Sequence, residues 1–480
     1  MTTFLAALDE MEMFFNGPMR SGIVLDSQSL LNAGYRAFQE KLAETLTSHY
    51  MGTWECPQFL ARRNKMAFDV DNFQGETIIP RYLISRSFSG ESLAEILEEF
   101  RLPPEVRPLR GMHPNEHTEE FTEEADTMPF PAKFRLEKLD IYLYDYGYAS
   151  CLIRGKVVAL RDMTMEEYRA AVEYISSSLP DYTELFQSTI GKVAKVIPQE
   201  YILLSFHGNQ PLRSALWPNT SLRQHIGELF WVHRIFSIPC KTDEEFERQK
   251  EACRALAYSS RNDTLTDVGM SPGLAIYPGN GNSCVVYKED TADWNVARLR
   301  SVIRAKNVFY AALQDVDRDL FYLNNELSLR RDNRDMASIE RQMQYTADCL
   351  ARTGFIKSVY DDYDNQLDPQ SIGIWDHLRQ TWIMGDMFRA IDQKTAMLDK
   401  VYDRLAQRLQ SLQSRRISQL IIAFIVIALL TMVLDLVGVV PKLKEGETGG
   451  GMSIALPVIV LAFAMGGATL LALRRSKPKQ

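Results

Sequence analysis

The chain has 480 residues, 46% of them apolar and 24% charged, with a formal net charge of −8. That length suits two or three ordinary domains, and the acidic balance offers no footprint for nucleic acid, so no nucleic-acid partner is expected. Cys56, Cys151, Cys240, Cys253, Cys284 and Cys349 are scattered without a CxxC, which suits a reducing compartment and argues against a disulfide framework or a structural zinc site.

The first residues, MTTFLAALDEMEMFF, carry Asp9, Glu10 and Glu12 and no basic stretch. They are not read as a signal peptide, and the large N-terminal part is expected in the cytoplasm. Residues 1–290 mix short β-branched or aromatic runs with helical stretches, which predicts an α+β (or α/β) body. Residues 107–131 are rich in Pro, Glu and Thr and read as a linker or surface loop between lobes 1–130 and 131–290. Strands are predicted over 139–146 and 151–160, then a helix from Thr164, where Thr164 and Glu167 have capping-box spacing. Further strands are predicted over 201–206 and 231–238, and a hairpin joins 274–277 to 284–287 around PGNGNS.

Motifs in the body carry little chemistry. His113 and His117 have H-x3-H spacing, but Pro114 and the acidic surroundings disfavour a helical metal site. The stretch Phe206-His207-Gly208-Asn209 after an apolar run reads as a turn or a ligand loop. No P-loop or HExxH occurs, and no enzymatic activity is expected.

Residues 291–416 read as a bundle of long helices. Apolar spacing predicts helices over 292–329 and 336–363, with Pro369 as the start signal of a third. In that third helix Met384, Phe388, Ile391, Thr395, Leu398, Tyr402, Leu405, Leu409 and Leu412 alternate steps of four and three. This seven-residue repeat is a coiled-coil-like seam, which joins copies of the chain or packs on its own neighbouring helices. One unbroken helix of about 100 Å is expected from Ile374 to Gly438, at about 1.5 Å per residue. Asp361, Asp362, Asp364 and Asp368 cluster just before it. They read either as a solvated helix end or as carboxylates for a divalent cation such as Mg²⁺.

Residues 417–473 then read as two transmembrane helices. The runs 420–440 and 452–473 are each long enough for a hydrocarbon core of about 30 Å. The loop PKLKEGETGGG between them has two lysines, whereas Arg404, Arg408, Arg415 and Arg416 precede the hairpin and a basic tail, 474–480, follows it. Positive-inside counting therefore predicts a multi-pass inner (plasma) membrane protein with both termini cytoplasmic. Asp435 shares a helix face with Thr431 and Gly438. A carboxylate facing lipid near mid-membrane would cost about 2.5–3.5 kcal/mol on insertion scales, so these three are candidate pore-lining residues or lie among outer headgroups.

A cytoplasmic body, two long helices, a very long helix entering the first span, a short outer loop, a second span and a basic tail follow one another here. In that order, and in the stretch MLDKVYDRLAQRLQSLQSRRISQL, the chain resembles the CorA-type divalent-cation transporter superfamily over about residues 290–480. The resemblance implies a homopentamer and a channel or transporter gated by its cytoplasmic domain. The family's Gly-Met-Asn signature is missing, because its place reads DLVGVVPK. A divergent branch of the family, CorA-like effectors of antiviral CRISPR defence, implies a small nucleotide as the gating signal. A non-conducting membrane-anchored scaffold or receptor is the alternative from another class. The cofactor is otherwise unknown.

Overall fold

The computed structural model describes residues 10–25, 34–50, 54–56, 82–106, 132–159, 165–198, 226–257, 265–288, 294–329, 336–364 and 367–443. The chain is mixed α+β, 62% helical, with a sheet in its N-terminal part and a long apolar helix toward its C-terminus. It divides into two compact units, Met1–Glu326 with Tyr345–Met397, and Leu327–Gln344 with Leu398–Gln480.

The first unit is built on one nine-stranded sheet, in the order β2-β3-β5-β6-β1-β7-β9-β8 with β4 beside β5. Its axis is β1 (Glu10–Val24), paired antiparallel to both β6 (Tyr146–Ala159) and β7 (His233–Cys240). Pro18 sits on this central strand, where a missing N–H is normally disallowed. Its register with β7 has already ended at Asn16, and its carbonyl accepts from Phe230 N instead. β5 (Ala132–Leu143) and β6 form a long hairpin, and β3 (Ile84–Ser89) lies outside β5, beyond which are β2 (Trp54–Glu55) and, on β5, β4 (Glu105–Val106). The stretch 107–131 lies outside the described residues; β3 before it and β5 after it are neighbours in the same sheet. β7 runs parallel to β9 (Asn282–Lys288), which closes an antiparallel hairpin with β8 (Leu274–Pro278), as PGNGNS predicts.

Alternation along the strands gives the sheet two different faces. Met11, Met13, Phe15 and Met19 of β1 join Leu139, Ile141, Cys151, Ile153 and Phe236 in the main apolar core. Five helices supply the other half of that core: α1 (Tyr35–His49), α2 (Gly90–Glu99), α3 (Met165–Ser178), α4 (Thr183–Val196) and α5 (Asp243–Ala257). Cys253 of α5 and Cys284 of β9, both fully buried, are joined as a disulfide. This departs from the expected free thiols. The two cysteines are 31 residues apart, and packing of α5 on β9 brings them together, which spacing alone does not display.

The helical part follows as α6 (Trp294–Leu329), α7 (Met336–Asp364), α8 (Pro369–Thr381) and α9 (Met384–Leu443). The single helix expected from Ile374 to Gly438 is therefore broken. Trp382 N closes α8 on Leu378 O, and Ile383 then takes φ 53°, a left-handed conformation that is costly for a β-branched residue. From Met384 the helix runs 60 residues without a break. It is long and apolar enough to cross a membrane by length and composition, and its apolar stretch is unburied. The second predicted span, the loop before it and the basic tail lie outside the described residues.

Candidate functional site on the polar face of the sheet

The second face of the sheet carries polar and aromatic side chains where a core would be apolar. On β1 these are Phe14, Asn16 and Arg20; on β5, Tyr142; on β6, Tyr148 and Ser150; on β7, His233, in register with Asn16. Helix α6 covers them. Arg300 lies over the Phe14 ring at 4.4 Å, Arg304 over Tyr142 at 3.7 Å, and Phe309 stacks on Tyr146 at 5.7 Å.

Nearly two turns further along α6, Asp315 is 1% exposed and accepts from both the Arg20 guanidinium and Tyr148 Oη, the latter at 2.9 Å. Arg318 approaches the same carboxylate from the solvent side. Burial pushes the Asp315 carboxyl up from its usual range, while Arg20 and Tyr148 pull it back down. The group ties α6 to two strands, because either partner left alone would be a buried, unsatisfied polar group.

A second cluster gathers around His233. Its Nε2 lies 2.9 Å from Ser283 Oγ, which accepts from Gly279 N at 3.1 Å. The ring packs on Trp382, Trp382 on Tyr310, and Tyr310 on Trp231, with centroids 5.4–5.7 Å apart. Trp231 Nε1 donates to Asn307 Oδ1 at 3.1 Å, and Ser150 Oγ donates to Asn16 Oδ1 at 2.6 Å. Burial, with Arg234 adjacent, lowers the His233 pKa to about 3, so the imidazole is neutral in the fold. Among the described residues, four buried nitrogens here have no hydrogen-bond partner: Asn16 Nδ2, His233 Nδ1, Asn307 Nδ2 and Trp382 Nε1. Three of them are obligate donors, which the oxygen of a buried water would satisfy.

A third cluster adjoins the start of α9. Lys306 is fully buried, 3.8 Å from the centroid of Trp375 and 3.5 Å from Tyr360 Oη. Tyr360 packs on Phe388 at 4.6 Å and reaches Met384 Sδ at 3.9 Å. Lys394 then pairs with Asp317 of α6 at 2.6 Å. The head of α9 is thus fastened to the same helices that cover the polar face.

The residues singled out from sequence fall in different places. Ile391 and Leu398 are fully buried within one chain, while Leu405, Leu409 and Leu412 are half-buried. Thr431 is exposed on α9, and its hydroxyl donates to Ile427 O. Asp435 and Gly438 lie on the same helix, with side chains outside the described residues. Asp361 is exposed near the end of α7, which also carries Asp362 and Asp364. Asp368 has a structural role: it caps α8 by accepting from Gln370 N and Ser371 N, and pairs with Arg298 at 3.5 Å. Among the described residues no group of three or more His, Cys, Asp or Glu side chains is placed to hold a metal. His113, His117 and residues 206–209 lie outside the described residues. The His233 cluster escaped the sequence reading, since its members come from β1, β7, α6 and the α8–α9 joint.

Together these observations define a mixed α+β protein with a long, apolar, exposed C-terminal helix. No protein-family model, curated protein or solved structure matches the chain.

Proposed function

We propose that this chain is a membrane-anchored homo-oligomer, similar to the CorA-type superfamily, that conducts cations under control of its N-terminal body. The observation that supports this most is α9 itself. It begins packed on Tyr360, and continues without a break into a segment whose apolar side chains face outward, with Phe424 70% and Met432 64% exposed. Such a helix is stable only with lipid or protein around it. In this reading α9 is the first span, residues 452–473 are the second, and both termini are cytoplasmic in a plasma (inner) membrane. The small nucleotide that the resemblance implies as the gating signal would act on the N-terminal body.

Helix register is compatible with this reading. At about 100° per residue, Asp435 lies about 140° round the helix from Leu412, Thr431 about 100° and Gly438 about 80°. The lower seam therefore makes lateral contacts between subunits, and Asp435, Thr431 and Gly438 face the lumen, where a carboxylate ring favours cations such as Mg²⁺. The tethered-scaffold reading draws on a different observation, the burial of Ile391 and Leu398 inside one chain, which removes them from any intersubunit seam.

Full chain reconstituted in liposomes tests the two readings. Cation flux that appears or rises with candidate small nucleotides, and that loses its preference for cations over anions in Asp435→Asn, is the expected result. Equal selectivity in wild type and Asp435→Asn would remove Asp435 from the lumen. No flux under any condition would favour the tether.

A further inference from the structure

We propose that the disulfide between Cys253 and Cys284 is a redox-controlled latch that holds α5 against β7 and β9. The inference rests on the cytoplasmic placement of the N-terminal body, because disulfides in a reducing compartment are usually transient or redox-sensing. Along α5 the buried positions Phe246, Gln249, Cys253 and Leu256 recur at steps of three and four, and so form one stripe facing the sheet. Opposite them, Phe236 of β7 is in register with Cys284 of β9, and both belong to the main core.

Gln249 is the weak point of the stripe. It is 1% exposed, and among the described residues neither its Oε1 nor its Nε2 has a hydrogen-bond partner. A buried amide in that state disfavours docking of the helix. The polar ties that remain are slight: Asp243, 84% exposed, pairs with Lys288, and Arg169 donates to Ala255 O. The helix itself has local support, since Glu245 N donates to Thr242 Oγ1 at 3.1 Å and Lys241 N to Glu245 Oε2 at 2.8 Å. Reduction therefore loosens α5 as a helix and bares its stripe.

A dithiol is the reductant that balances the step. One of its thiolates attacks a sulfur of the disulfide, and its second thiol resolves the mixed disulfide. The Cys253–Cys284 bond breaks and both cysteines become thiols. The reductant, having given up two electrons and two protons, closes as a cyclic disulfide. Both cysteines are fully buried, so the attack needs local opening of α5. The amide of Gln249, one turn before Cys253, makes that opening less costly.

The test uses the oxidised full chain in mild detergent, incubated with dithiothreitol in the absence of denaturant. Alkylation with peptide mapping follows Cys253 and Cys284, and hydrogen exchange follows the amides of α5. Both cysteines should become alkylated, and α5 should exchange about a hundredfold faster once reduced, while β5 and β6 keep their protection. Reoxidation should restore slow exchange. Gln249→Met, of similar size but without the amide, should slow reduction of the native protein about tenfold. Four results each overturn the latch: a disulfide that resists dithiothreitol until denaturant is added, slow exchange in reduced α5, exchange that rises equally in β5 and β6, or unaltered reduction of Gln249→Met. Placement of the body is read separately, by protease added to sealed right-side-out vesicles, which should leave it intact. A body digested there overturns the cytoplasmic reading and the latch with it, whereas an intact body with an irreducible disulfide overturns the latch alone.

Discussion

Ile391→Asp is expected to destabilise the N-terminal unit severely, whereas Leu409→Asp should leave it folded and act on assembly alone. The two residues occupy the two alternating positions of one heptad pattern, yet Ile391 is fully buried and Leu409 half-buried in a single chain. An aspartate at 391 would place an unpaired charge between α9 and the helices that hold its head, at a cost of about 3–5 kcal/mol. At 409 the same charge keeps access to water, so its cost within one subunit is small. If the lower seam joins subunits, however, Leu409→Asp should dissociate detergent-solubilised oligomers. Thermal unfolding and light scattering of both variants separate the effects. An oligomer unaffected by Leu409→Asp would show that the lower seam is not the interface, and a normally stable Ile391→Asp would contradict the packing described for α9.

The second large effect is acid destabilisation through His233. Its folded pKa is lowered to about 3 by burial, against about 6.5 in an unfolded chain. Below pH 6.5 the unfolded state takes up a proton that the folded state refuses. Stability supplied by the neutral imidazole is therefore complete above pH 6.5 and drains away as pH falls toward 3. The slope is about 1.4 kcal/mol per pH unit at most for this one group. His233→Gln removes the titration while keeping a polar side chain opposite Ser283. The variant should be less stable at neutral pH but flatter in its dependence between pH 6.5 and 4. Unfolding curves of wild type and variant that run parallel over that range would refute a buried, neutral His233.

Much of the architecture was legible where local chemistry and tertiary outcome agree. β5 and β6 overlap the strands expected over 139–146 and 151–160 but begin earlier, the β8–β9 hairpin has its Gly-rich turn, and α6 and α7 follow helical apolar spacing. β1 was not legible, because its outward positions alternate Glu, Phe, Asn, Pro and Arg, and both of its faces are covered by different layers. The break at Trp382–Ile383 was hidden for the opposite reason. A helix end is expected at Gly, and Gly385 stands two residues on, but the chain turns at Ile383 because Trp382 is held between His233 and Tyr310. The seam was legible as a period but not as a partner: spacing is identical whether Ile391 meets its own chain or another. The acidic cluster shows the same limit, since Asp368 reads as a candidate ligand and serves as a helix cap.

Water access along α9 tests the central claim most directly. Single cysteines at Gln413 and Leu429 lie 16 residues apart on one unbroken helix, and both positions are exposed in the isolated chain. In vesicles permeabilised so that both membrane surfaces can be reached, a water-soluble maleimide should modify Gln413→Cys readily. Leu429→Cys should resist it until detergent is added, with modified sites assigned by peptide mapping against the native cysteines. Equal modification of the two positions in intact bilayers would contradict a membrane-crossing α9.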